Sequence, residues 1–160
     1  MLYLAFTLLS LTVLEPSRLT HVRPETPVMR RLVTTGAARS PTLRSLMARL
    51  ERSDVVAYVA EDESFRPKLD GRLAFLGSGG GTRYVRILIA TRAQESRNIA
   101  TLAHELQHAV EIAERPSIVD QDSMARAYAR IGHGTPAKRV FDTVQAIEIG
   151  HRVWREVTPW

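Results

Sequence analysis

Residues 94–114, QESRNIATLAHELQHAVEIAE, can settle into only one kind of element. Ile99, Leu102, Ala103, Leu106, Val110 and Ala113 recur at spacings of three and four, so the segment is a helix with one face against a core. At about 100° per residue, His104 and His108 fall roughly 40° apart and one turn from each other on the other side. Both imidazoles can therefore address one point, with Glu105 on the flank of their stripe. Any fold containing this helix must bury one of its faces and leave the other able to bind. Among 160 residues there is no cysteine, so a bound metal must be held by His, Asp or Glu.

His104, Glu105 and His108 form the HExxH arrangement, in which neutral imidazoles hold zinc and the intervening Glu, kept off the metal, takes a proton from an activated water. The run His104-Glu105-Leu106-Gln107-His108-Ala109-Val110 resembles the active-site helix of the zincin metallopeptidases. It is similar to the form found in the thermolysin-like gluzincins, which also read His-Glu-Leu-x-His-Ala-Val. The resemblance implies Zn²⁺ as cofactor, a peptide or protein substrate, and a sheet whose edge strand aligns that substrate above the helix. It also implies a later helix that supplies an acidic third ligand.

A third histidine in the metzincin position is excluded, because Glu111 stands where that motif has Gly and Glu114 where it has His. Glu111 lies on the histidine stripe, about 4.5 Å further along the axis, as a ligand or as an acceptor for an imidazole N–H. Residues 139–154, RVFDTVQAIEIGHRVW, belong to the last expected helix. There Asp142 shares an arc with Ala146, Ile149 and Val153, and a carboxylate on an apolar face needs a partner such as a metal. Glu148 lies on the polar arc with Arg152 and Arg155, and Asp120 and Asp122 are further options. The expected metal set is His104, His108 and Asp142, with Glu105 as general base. Thermolysin-like enzymes follow their acidic ligand with an Asp four residues later; Ala146 holds that place here. The resemblance also implies an oxyanion donor, for which His151, Tyr128 and His133 are candidates.

The remaining pattern predicts an α+β fold. A helix over 41–52 precedes strands over 54–60, 72–77 and 83–90, and helices follow over 94–114, 118–131 and 135–156. GSGGGT at 77–82 lacks the Lys-Ser/Thr ending of a phosphate loop and reads as a hairpin connection. The expected architecture is a small antiparallel sheet of about three strands followed by a helical half that carries the HExxH helix, a minimal zincin-like layout. Residues 1–15 are an apolar N-terminal segment, residues 16–40 a basic linker with at most a short helix around 28–33 and an exposed His21, and residues 41–160 the zincin-like catalytic domain.

Lys plus Arg exceeds Asp plus Glu by 22 to 17, for a net charge of +5. The excess is concentrated in residues 16–52, where eight Arg face only Glu25 and Glu51. Without aromatic interleaving this segment reads as a solvated face, and no nucleic-acid partner is expected. MLYLAFTLLSLTVL at the N-terminus has the length of the apolar core of an export signal and is too short to span a bilayer comfortably. It suggests an exported or membrane-associated protein, with a first buried element in a cytoplasmic protein as the alternative. Two other functions fit the same residues: a metal-binding module without turnover, and a basic interaction protein that docks on anionic surfaces.

Overall fold

The computed structural model of the chain describes residues 21–62, 70–131 and 142–158. The segment 1–15, residues 16–20 of the expected linker, His133 and the helix start at Thr135-Pro136 lie outside these residues.

From residue 21 onward the basic segment is built into the fold. A short strand, β1 (Val22–Pro24), leads into helix α1 (Pro27–Arg39). Thr26 caps that helix by accepting the Met29 N–H, and Pro27 occupies the first turn, where no donor is needed. Met29, Leu32, Val33 and Gly36 are its buried stripe, while Arg30 and Arg31 face solvent. The linker expectation, which allowed at most a short helix around 28–33, is thus corrected for residues 21–40: Pro24 and Pro27 mark the edges of elements, and the interspersed arginines obscured an amphipathic period. His21, expected to be exposed, is half-buried, with Nδ1 3.0 Å from the Val55 carbonyl oxygen. Gly36 allows close helix packing, since a Cβ there would lie 2.5 Å from Leu43 Cδ2 and 2.9 Å from Ile99 Cγ2.

Ser40 then caps α2 (Pro41–Glu51), which buries Leu43, Leu46, Met47 and Leu50. Three longer strands follow: β2 (Val55–Glu61), β3 (Gly71–Gly79) and β4 (Thr82–Ile89). Gly80 and Gly81, with φ of +59° and +78°, close the β3–β4 hairpin in two residues, a geometry that glycine adopts without strain. The sheet order is β1-β2-β4-β3. β1, β2 and β4 run parallel, and β3 joins antiparallel to β4 as an edge strand. The fold is α+β as expected, and the expected sheet of about three antiparallel strands is corrected to a four-stranded mixed one. β2 pairs with β4 rather than with the next strand in sequence, and Val55, Val56, Ala57, Val59 and Ala60 are all buried, the near-continuous burial expected of an interior parallel strand.

Helix α3 (Glu95–Ala113) packs on this sheet and against α1 and α2, followed by α4 (Gln121–Ile131) and α5 (Val144–Val157). Its Ile99, Leu102, Ala103, Leu106 and Val110 join the strand residues Val59, Val85, Ile87 and Ile89 in one core. The C-terminal end of α3 is held by Arg83 of β4, which is only 5% exposed. Its guanidinium pairs with Asp54 at 2.6 and 2.8 Å and donates to the carbonyls of Ile112, Arg115 and Ile118 at 2.8, 2.8 and 3.0 Å. Two of these carbonyls also take backbone N–H groups, Ile112 from Arg115 and Arg115 from Ile118, and the guanidinium adds a cation that suits the helix dipole. At the other side of the core, Glu156 near the end of α5 accepts from Thr42 Oγ1 at 2.6 Å and from Ser40 Oγ, fastening α5 to the start of α2. No helix among the described residues is long and apolar enough to cross a membrane.

Candidate metal centre

The sequence leaves the histidine face of α3 open, but the fold covers most of it with α4 and α5. Glu105, His108 and Glu111 are 6%, 5% and 3% exposed, whereas His104 is half-buried at the mouth. α5 comes close to His104 through Gly150, where an added Cβ would stand 3.5 Å from the His104 Cβ. Its first turn is capped by Thr143, which accepts the Ala146 N–H at 3.1 Å. Asp142 is the residue before that cap. It therefore does not ride on a helical arc with Ala146, as expected from the sequence; the extended approach to α5 delivers it to the histidines.

Three donor atoms converge there. His104 Nε2 and His108 Nε2 are 3.2 Å apart, and Asp142 Oδ1 lies 3.1 Å from the first and 3.8 Å from the second. The Oδ1 atom is buried without a hydrogen-bond donor of fixed position among the described residues. Two imidazole nitrogens and a carboxylate oxygen turned toward one point can share a proton or hold a metal ion, and this group could hold a metal. The spacing fits. Four ligands at about 2.0–2.2 Å in a tetrahedron stand roughly 3.3–3.6 Å apart, and the three observed separations bracket that range.

The local charges favour the same arrangement. The His104 imidazole holds the Asp142 carboxyl below the ordinary carboxylate range despite its partial burial. Burial opposes a charged His104, but the carboxylates of Asp142, Glu105 and Glu111 outweigh it and raise that imidazole's pKa. On the far side of His108, Nδ1 faces Glu111 Oε2 at 2.9 Å. A carboxylate there accepts a hydrogen bond from Nδ1–H, which keeps the proton on Nδ1 and leaves the Nε2 lone pair directed at the centre. Glu111 also accepts from Thr143 Oγ1 at 2.7 Å and from the Tyr128 hydroxyl at 3.1 Å. Burial alone would raise its pKa, yet these donors bring it below the ordinary value, so it is a buried carboxylate held ionised by its neighbours.

Glu105 is different. Burial raises its pKa, partly countered by the nearby His108 and His104. It lies beneath the edge strand: a Cβ on Gly71 of β3 would stand 2.9 Å from Glu105 Oε1 and 2.5 Å from Thr101 Cγ2. The absence of a side chain at Gly71 thus makes the room that Glu105 occupies.

The other sequence candidates separate clearly. Glu148 is exposed on α5, and Asp120 and Asp122 are exposed at the start of α4, where Asp120 accepts the Ser123 N–H at 2.7 Å; none of the three joins the donor group. His151 is exposed, since the arc it shares with Val144 and Ile147 faces solvent and not the core. Tyr128 is 4% exposed with its hydroxyl on Glu111 and on the His108 carbonyl oxygen at 3.0 Å, so it braces the histidine helix from behind. Thr143 and Gly71 were missed. A Thr immediately before the periodic run 144–157 is a capping signal, and reading it would have started α5 there; Gly71 carried no local signal. Comparison with known protein families, with curated proteins and with solved structures finds no match to this chain.

Proposed function

We propose that this chain is a small zinc-dependent hydrolase acting on peptide bonds, with His104, His108 and Asp142 as the metal ligands and Glu105 as general base. The observation that carries the reading is the convergence of His104 Nε2, His108 Nε2 and Asp142 Oδ1 at 3.1–3.8 Å beside a buried fourth group, Glu105. Two imidazoles and a carboxylate are a donor set that suits zinc.

When bound, zinc supplies a Lewis acid that makes water a nucleophile near neutral pH and polarises the scissile carbonyl. Glu105 takes the proton of the attacking water and returns it to the leaving amine nitrogen. Burial raises its pKa, and a raised pKa makes its carboxylate a stronger base toward water. The edge strand β3 supplies the docking line. Phe75 turns its N–H away from β4 to Gln121 Oε1 at 3.2 Å, so Leu73 and Gly71, two and four residues back, turn their backbone groups toward the same side of the strand. An extended peptide paired along Gly71–Leu73 would pass over Glu105.

The test is hydrolysis of an internally quenched peptide mixture by the full chain loaded with zinc. The expected result is turnover that chelation abolishes and that falls by about 100-fold or more in Glu105→Gln at equal zinc content. Turnover unaffected by both changes would overturn the proposal.

A further inference from the structure

The histidines come from one helix and Asp142 from a separate segment, so something must hold the two in register before a metal arrives. Glu111 has the contacts to do so. Its Oε2 faces His108 Nδ1 at 2.9 Å, and its Oε1 accepts from Thr143 Oγ1 at 2.7 Å, the residue directly after Asp142. Thr143 in turn caps α5 through the Ala146 N–H at 3.1 Å. The Tyr128 hydroxyl of α4 reaches the same Oε2 at 3.1 Å. One buried carboxylate is therefore the common acceptor for a metal-facing histidine, for α4, and for the cap that sets where Asp142 sits.

We propose that Glu111 is the positioning residue of the centre. It fixes the tautomer and ring orientation of His108 and, through Thr143, places the Asp142 carboxylate against both Nε2 atoms. The proposal rests on the zinc-site reading above and deepens it: the third ligand is preorganised by a glutamate on the histidine helix itself, three residues beyond His108. A side chain that merely filled the space behind His108 would need neither a charge nor a link to Thr143. The geometry provides both: the Thr143 hydroxyl donates to that carboxylate, the Tyr128 hydroxyl is shared between it and the His108 carbonyl oxygen, and His108 needs an acceptor at Nδ1 to leave Nε2 unprotonated.

The experiment measures the affinity of the full chain for Zn²⁺ by competition with a chromophoric chelator, and the visible spectrum with Co²⁺ in place of zinc. Variants are Glu111→Gln, Thr143→Val, Thr143→Ser and Asp142→Ala. Loss of an orienting group of this kind weakens metal binding by about 10–100-fold. Glu111→Gln and Thr143→Val are expected to lose affinity on that scale and to shift the Co²⁺ spectrum toward that of Asp142→Ala. Thr143→Ser, which keeps the hydroxyl, is expected to restore both. In an Asp142→Ala background, Thr143→Val should cost almost nothing further, since its effect runs through that ligand. If Glu111→Gln does not fold, the Val and Ser pair at position 143 decides. Affinities within about twofold of the parent and unchanged spectra, in a parent that binds zinc, overturn the positioning role and leave the zinc site standing; a parent that binds no zinc overturns both.

Discussion

Replacing Arg83 with Met tests whether the histidine helix is held to the sheet by the buried guanidinium. The substitution keeps much of the side-chain volume and removes every donor. Asp54 loses its partner, but its side chain is 43% exposed, so water replaces most of that interaction and its share is discounted to under about 1 kcal/mol. The cost lies with one carbonyl. Ile112 and Ile118 are both buried acceptors for Arg83 Nη1 at 2.8 and 3.0 Å, but Ile112 keeps the Arg115 N–H at 3.0 Å, whereas the Ile118 carbonyl left without the guanidinium costs about 1–3 kcal/mol. Taking about 2 kcal/mol for it and up to about 1 kcal/mol for Asp54, the loss comes to about 2–3 kcal/mol. In a chain of this length that is a fall in Tm of about 4–12 °C. Urea unfolding of the chelated protein, followed by circular dichroism, measures it, with Asp54→Asn as a control expected to lose about 1 kcal/mol or less. A loss below about 1 kcal/mol for Arg83→Met would refute the reasoning, because the Ile118 carbonyl would then be satisfied without the guanidinium.

Glu105→Gln is expected to stabilise the metal-free protein above about pH 4.5, the ordinary carboxyl value. Burial raises the folded pKa of Glu105, so between the unfolded and folded values the folded state holds the extra proton and stability falls as pH rises. Glutamine removes that fall, and melting curves across pH 4–8 with chelator present would show the parent and the variant diverging; parallel curves would count against a raised pKa. Gly71→Ala is expected to leave zinc content unchanged and to lower peptide turnover by tenfold or more. The new Cβ would press to 2.9 Å from Glu105 Oε1, and parent-like turnover would mean that the glycine serves only the strand.

The sequence was most informative where one residue type served both structure and chemistry. Leu102, Leu106 and Val110 define the buried face of α3 by spacing alone, and His104 and His108 declare a shared point by the same period. Glycines 80 and 81 likewise specify the hairpin by the backbone angles they permit. What stayed hidden depends on partners distant in sequence. β1 is three residues long and owes its strand character to pairing with Ala57, Tyr58 and Val59, which no local pattern records. α1 was obscured because Pro24 and Pro27 read as linker punctuation when Pro27 in fact begins a helix. Asp142 was singled out by a helical arc that does not exist at that position; its location comes from the Thr143 cap and its bond to Glu111. Glu111 itself could be read as a solvated acid, since only the packing of α4 and α5 buries it.

His104, His108 and Asp142 form a group that could hold a metal, and the proposed metal is zinc. Elemental mass spectrometry of the full chain, purified without chelator and then offered zinc, decides the point. Close to one zinc per chain is expected, retained in Glu105→Gln and lost or sharply weakened in His108→Ala and Asp142→Ala. A folded protein that takes up no zinc, or that binds it equally well without His108 and Asp142, would refute the zinc site.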